Sequence, residues 1–371
     1  MVGANYDSIL AKELESGQGP DLFFVHPYDA RIRQYLLPLK DLPIQENFDA
    51  SKSDPWKGTN GNYYALPYVG VVQGIYFNKD FFRDHPSIPS PDTWKTWSDL
   101  IKYSQMIKNE GMVPFGNVLN TVNDSEMFQS LLVNFVGGPD GRAKYSAPDG
   151  RNACFNSYEM IRAFQAVEEL KPFILNSYFS PYETNQWTDD SISKQYFIDG
   201  KAIMLFGGSW DLQYFTDNVK KFNWSVFAPP APDGETTYVI FQPDVGIGIN
   251  NASQHKQEAL TFLKWLMTDG VKETEKYLPG RYLLINSEAT SLISSADHAG
   301  DFANLTMFPS DIRWMFADVN SEYPRSSAII RSVLYQMVTP DLSNNTLSAR
   351  DAAQRLQVGL GEWYKPAQTC R

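Results

Sequence analysis

The chain is 371 residues long with a formal net charge of -11, from 32 basic and 43 acidic residues. That length is comfortable for two domains, and 43% apolar residues supply packed cores for both. The acidic balance, with no Lys/Arg cluster, excludes a nucleic-acid partner, and no apolar run is long enough for a membrane span.

Residues 5–16 carry Ile9, Leu10 and Leu14 at helical spacing, with Gly17 as the stop. After the turn Gly19-Pro20-Asp21, Leu22–Val25 reads as a short buried strand. No succession of charged, apolar and small residues precedes these elements, so no signal peptide is present in this chain.

The stretch GNYYALPYVGVVQGIYFNKDFF (61–82) holds an apolar run from Val69 to Phe77, interrupted by Gly70 and Gly74. It predicts a bent, buried strand that leads into a helix start at Asn78-Lys79-Asp80. Pro91-Asp92-Thr93 then opens a helix with Trp94, Trp97, Ile101 and Ile107 on one face, capped by Asp92 or Thr93. Further helices are expected over 125–136, stopping at Gly137-Gly138, and from Asn156, with Glu159 in capping-box spacing.

FIDGKAIMLF (197–206) ends a helix at Gly200 and continues as a strand, and Gly207-Gly208-Ser209-Trp210 opens the next helix. Trp224–Phe227 and Val245–Ile249 read as strands, Ser253 as a helix cap, and Ser348 as the cap of the last clear helix. Strands alternate with helices and are continuously apolar, which predicts parallel sheets covered on both faces. No linker separates two sequential domains, so the chain is expected to cross between two lobes more than once.

Catalytic signatures are missing: no GxSxG, GxxxxGK[ST], GxGxxG or cysteine–histidine pattern occurs. The adjacent pairs Glu168-Glu169 and Asp189-Asp190 read as solvated faces. Four histidines without HExxH spacing, and two cysteines, exclude a histidine- or cysteine-built metal site. Cys154 and Cys370 would pair in an exported protein, but two unpaired thiols is the reading preferred from sequence.

Aromatics make up 14% of the chain, enough for binding platforms as well as cores. The small residues before Trp210 would let a ligand approach the backbone at a strand-to-helix turn, with the indole over it. A core tryptophan is the alternative. His26-Pro27-Tyr28-Asp29 follows a strand end, where open α/β sheets bind ligands, and a plain surface loop is its alternative. Tyr68 faces either core or cleft. Trp187, in a Thr/Asn/Gln/Asp-rich stretch, is a candidate from composition alone.

In order along the chain, LAKELESGQGPDLFFV (10–25), the 61–82 stretch, PDTWKTWSDL (91–100), FIDGKAIMLFGGSW (197–210) and VGIGINNASQHKQEALTFLKWL (245–266) resemble segments of the family-1 extracellular solute-binding proteins of ABC transporters. The resemblance implies a periplasmic-binding-protein-like α/β fold of two lobes with a ligand cleft and hinge crossings. It places 1–78 and 244–300 in one lobe, and 79–243 and 301–371 in the other. It implies a monomeric, extracytoplasmic receptor that binds a sugar without cofactor or metal and hands it to an ABC permease, and not an enzyme. A glycoside hydrolase using a carboxylate pair is the alternative.

Carried over residue by residue, the family's ligand positions fall on His26, Tyr28, Asp29, Tyr68, Trp210, Asp244 and Arg281. The family also begins with a strand, a helix and a second strand before its "lasGxgPD" segment, whereas this chain opens in the helix that follows them. That implies either a start farther upstream or a first lobe without those strands.

Overall fold

A computed structural model describes residues 6–27, 29–117, 122–143, 154–175, 186–277, 283–284, 298–305, 308, 310–311, 326–340, 343 and 345–360. The strands are β1 (Leu22–Val25), β2 (Leu66–Asn78), β3 (Val113–Phe115), β4 (Ala202–Gly208), β5 (Trp224–Phe227), β6 (Val239–Ile249), β7 (Leu283–Leu284) and β8 (Ser310–Asp311). The chain divides into two compact units, Met1–Val71 with Phe241–Ala303, and Val72–Ile240 with Asn304–Arg371. Two of the three divisions therefore fall inside strands, β2 and β6.

In the first unit β1 runs antiparallel to the end of β6, with Leu22 opposite Ile249 and Val25 opposite Gly246. Val69 and Gly70 of β2 pair antiparallel with Leu284 and Leu283 of β7. Helix Tyr6–Glu15 ends at Gly17, whose φ of 72° is the left-handed stop expected there. Its Leu10 and Leu14 join Phe23, Val25, Trp56, Ile247, Ile249 and Leu263 in one core.

In the second unit the remainder of β2 pairs antiparallel with β4, Gln73 opposite Gly208 through Phe77 opposite Met204. It also pairs antiparallel with β5, from Ile75–Phe227 to Asn78–Trp224. β3 lies parallel to β4, and the start of β6 lies parallel to β8. The core joins Ile75, Phe77, Trp97, Leu131, Phe164, Ile203 and Leu356.

The sheets are thus mixed, and the expectation of all-parallel sheets is wrong. Continuous apolarity reports burial of both faces of a strand. It carries no information on the direction of the neighbours, which the connections decide.

Helix starts also shift. The helix expected at Pro91 begins at Trp97, where Thr96 accepts from Asp99 N and the Asp99 carboxylate accepts from Thr96 N, a complete capping box. Pro91–Thr93 is a 3-10 turn before it. Ser157, and not Asn156, caps helix Tyr158–Leu170 by accepting from Met160 N at 3.2 Å. Asn156 instead donates to Gln354 Oε1. Helix Lys256–Trp265 starts after His255, and Ser253 is spent on Asp21 Oδ1 and His255 N. Ser348 does accept from Asp351 N at the head of helix Ala349–Leu360.

Cys154 is disulfide-bonded, which overturns the reading of unpaired thiols. Disulfides persist in oxidising compartments. Cys154→Ser is expected to lower stability by about 2–5 kcal/mol. Unfolding under non-reducing conditions checks this, with reduced wild type falling to the level of the variant.

Candidate functional site

Each unit carries its own set of candidate binding groups. In the first, β1 ends at Val25 and presents His26, whose Nδ1 lies 3.3 Å from the carbonyl oxygen of Asp244 on β6. The register accounts for the meeting: Val25 pairs with Gly246, two residues beyond Asp244.

β2 supplies the third member. A Cβ on Gly246 would stand 3.1 Å from Ala65 Cβ, and one on Gly70 would stand 3.2 Å from Gln242 O. Tyr68 and Asp244 lie between those two contacts, at one level of neighbouring strands. The Tyr68 hydroxyl is 3.4 Å from Thr274 Oγ1, and its ring packs partly buried against the core. His26 and Asp244 are therefore brought together although 218 positions apart, and Tyr68 lies on the neighbouring strand β2.

Burial pushes the Asp244 carboxyl above the ordinary aspartate value, and the positive charge of His26 opposes this. Among the described residues no donor reaches that carboxylate. A partly buried carboxylate that is pushed up by desolvation beside a histidine is a feature of functional sites. Its ionisation costs more folded than unfolded, so its contribution to stability is full below the ordinary aspartate pKa and lost as pH rises through the raised one. Asp244→Asn is accordingly expected to raise the melting temperature at pH 7 and to bring no gain near pH 3. Melting curves across that range check the sign.

Asp29 is placed differently. Its Oδ1 accepts from Arg31 N at 3.0 Å and Ile32 N at 3.2 Å, capping helix Ala30–Arg33. Asp29→Ala is expected to cost about 0.5–2 kcal/mol as a lost N-cap, measured by chemical denaturation.

In the second unit β4 ends in Gly207-Gly208 and turns through the 3-10 segment Ser209–Asp211, which carries Trp210. The indole lies on Gly208, where a Cβ would come within 2.2 Å of a ring carbon. Only glycine admits the ring at that distance. Ser209 Oγ accepts from Val72 N at 3.1 Å, and the Tyr76 hydroxyl donates to Gly208 O at 2.7 Å. Trp210 remains partly exposed, as an aromatic platform must.

Of the other candidates, Tyr28 and Arg281 lie outside the described residues. Trp187 sits in helix Gln186–Ile198, and its side chain is likewise outside them. No group of three His, Cys, Asp or Glu among the described residues could hold a metal. No helix among them is long and apolar enough to cross a membrane.

Sequence reasoning missed Trp56. It is 2% exposed, and its Nε1 donates to Val25 O at 3.1 Å, beneath the point where His26 emerges. The signal was weak, since Asp54-Pro55-Trp56 offers a turn and an aromatic but no spacing that points to β1. Lys194 and Asp211 were missed for the same reason. Their ion pair, Nζ to Oδ1 at 2.7 Å, joins residues 17 positions apart on different elements.

The model of a protein family described as "Bacterial extracellular solute-binding protein" matches residues 3–273. The chain is 23% identical over 280 residues to a multiple sugar-binding protein of Streptococcus mutans, covering 73% of this chain and 63% of that one. It is 25% identical over 216 residues to the maltodextrin-binding protein MdxE of Bacillus subtilis, covering 56% and 46%. The chain thus spans less than two thirds of the length of these relatives. In fold it is similar to the GacH receptor of Streptomyces glaucescens, with a TM-score of 0.74 at 14% identity over 98% of this chain and 89% of that one.

Proposed function

We propose that this chain, which belongs to the family of bacterial extracellular solute-binding proteins, binds a carbohydrate and delivers it to an ABC import permease. The observation that carries the reading is Trp210, a partly exposed indole seated on a glycine at the end of a strand. Such a face stacks on the apolar face of a sugar ring, while His26, Asp244 and the Tyr68 hydroxyl offer partners for hydroxyl groups. The names of the relatives, multiple sugar- and maltodextrin-binding, point to the same class of ligand. The carboxylate-pair hydrolase is set aside, because the family is one of binding proteins.

The proposal includes a monomeric receptor whose two lobes close on the sugar, with ligand shifting the population toward the state that a permease reads. Hydroxyl groups desolvated on closure must find partners, which gives discrimination against analogues that lack one.

Isothermal titration of the folded protein with maltotriose, raffinose, melibiose and a chitin oligosaccharide tests the reading. Heat with at least one of them is expected, and silence with all four would refute it. Trp210→Ala is expected to weaken binding by about 1–3 kcal/mol, roughly 5- to 150-fold in Kd. An unchanged Kd would make Trp210 a packing residue.

A further inference from the structure

Trp210 stands between residues whose partners are fixed on both sides. Before it, Ser209 Oγ takes Val72 N and Gly208 O takes the Tyr76 hydroxyl. After it, Asp211 is 2% exposed and meets Lys194 Nζ at 2.7 Å, with the Lys194 side chain 14% exposed. Lys194 comes from helix Gln186–Ile198, a different element from the turn that carries Trp210. Its Nζ also lies 5.7 Å from the centre of the Tyr214 ring. Tyr214 belongs to helix Leu212–Asn218, which follows the turn directly.

We propose that Lys194 is a positioning residue, whose ion pair with Asp211 sets the angle of the Trp210 indole over Gly208 and thereby the affinity for sugar. The proposal rests on the reading of Trp210 as a ligand platform. A desolvated ion pair is a poor source of net stability, because apolar side chains of similar volume often do as well or better. It differs from apolar packing in what it ties together: a charge–charge contact at 2.7 Å pins helix Gln186–Ile198 to the residue after Trp210, whereas packed methylenes slide. Asp211 is bonded in sequence to Trp210, so fixing its carboxylate fixes the backbone from which the indole projects. The two hydrogen bonds on the other side hold Gly208 and Ser209 but leave that backbone unspecified.

The burial of Tyr76 raises its hydroxyl pKa well above the ordinary value, and the Asp211 charge adds to the effect. Tyr76 therefore stays protonated as the donor to Gly208 O.

The test uses protein labelled with 5-fluorotryptophan, the Trp210 resonance being assigned by its loss in Trp210→Phe. That resonance is expected to be single and sharp in wild type and in Lys194→Arg, and shifted or broadened in Lys194→Met. Lys194→Met with Asp211→Asn removes both charges of the pair, and the same shift is expected there. An unmoved Trp210 resonance in the folded double variant overturns the proposal.

In parallel, the Kd for maltotriose and raffinose is expected to rise about tenfold in Lys194→Met and in the double variant, to stay near wild type in Lys194→Arg, and to be unaffected by Lys194→Met once Trp210 is alanine. A further loss in the Trp210→Ala background would mean that Lys194 acts elsewhere, and it also overturns the proposal. A moved resonance with unchanged sugar affinity upholds the positioning role and overturns the platform reading instead. If wild type takes neither sugar, the platform reading falls for these ligands and the resonance alone decides the role of Lys194.

Discussion

Trp56→Ala is expected to destabilise the first unit by about 3–5 kcal/mol, the usual cost of deleting a large buried aromatic. Three losses combine. The ring is 2% exposed, so its removal leaves a cavity that the neighbouring strands fill only in part. Its Nε1 donates to Val25 O at 3.1 Å, and alanine removes that donor from a buried site. The ring also occupies the space above Gly246, where a Cβ would lie 2.7 Å from a ring carbon. β1 and β6 are tied at that level by the Val25–Gly246 pair. Loosening it is expected to move His26 and Asp244 as well, so on the proposed reading sugar binding weakens with stability. Trp56→Phe keeps most of the volume and loses the hydrogen bond, which predicts a smaller drop of about 1–3 kcal/mol. Denaturant unfolding of both variants checks the order. Equal losses would mean that the indole N–H, and not the volume of the ring, is what matters.

Lys194→Met is expected to lower the stability of the second unit by about 3–5 kcal/mol at neutral pH, the range for breaking a buried ion pair by removing one partner. The cost comes from what remains, since Asp211, 2% exposed, keeps a charge with its nearest cation gone. Adding Asp211→Asn removes that charge and is expected to restore most of the loss, although neither substitution recreates the original contact. A double-mutant cycle by thermal or chemical unfolding gives the coupling directly. Additive losses would show that the two side chains contribute independently. The cycle for stability is distinct from the one for affinity, because only the latter passes through Trp210.

Much of the local structure was legible before the tertiary structure was known. The bounds of β1 and β5 coincide with their apolar runs, because turn residues close both ends. β2 and β6 run beyond theirs, since backbone pairing continues through Leu66, Pro67 and Tyr68 and through Val239–Asp244 regardless of side-chain polarity. The helix expected from Pro91 shows a similar limit. Thr93 and Thr96 both suit a cap, and the reciprocal bond with Asp99 decides for Thr96.

Of the candidate site residues, Trp210 was visible because glycines precede it, and Tyr68 because it sits in a strand with an aromatic start. The meeting of His26 with Asp244 is a contact over 218 positions, and no spacing rule spans that distance.

By itself the sequence determined the α/β class, the strands at Leu22–Val25, in 61–82 and 197–210 and at Trp224–Phe227 with the main helices beside them, while the resemblance of five ordered segments pointed to the family. The strands and helices follow from periodicity and turn chemistry, which act over a few residues. Only the tertiary structure decided the strand directions, the disulfide at Cys154, the capping use of Asp29, the support of β1 by Trp56 and the Lys194–Asp211 pair. Each of these is a contact between distant segments, or a choice among equally suitable local partners. Such choices are made by burial and strand register, which exist only once the chain has folded.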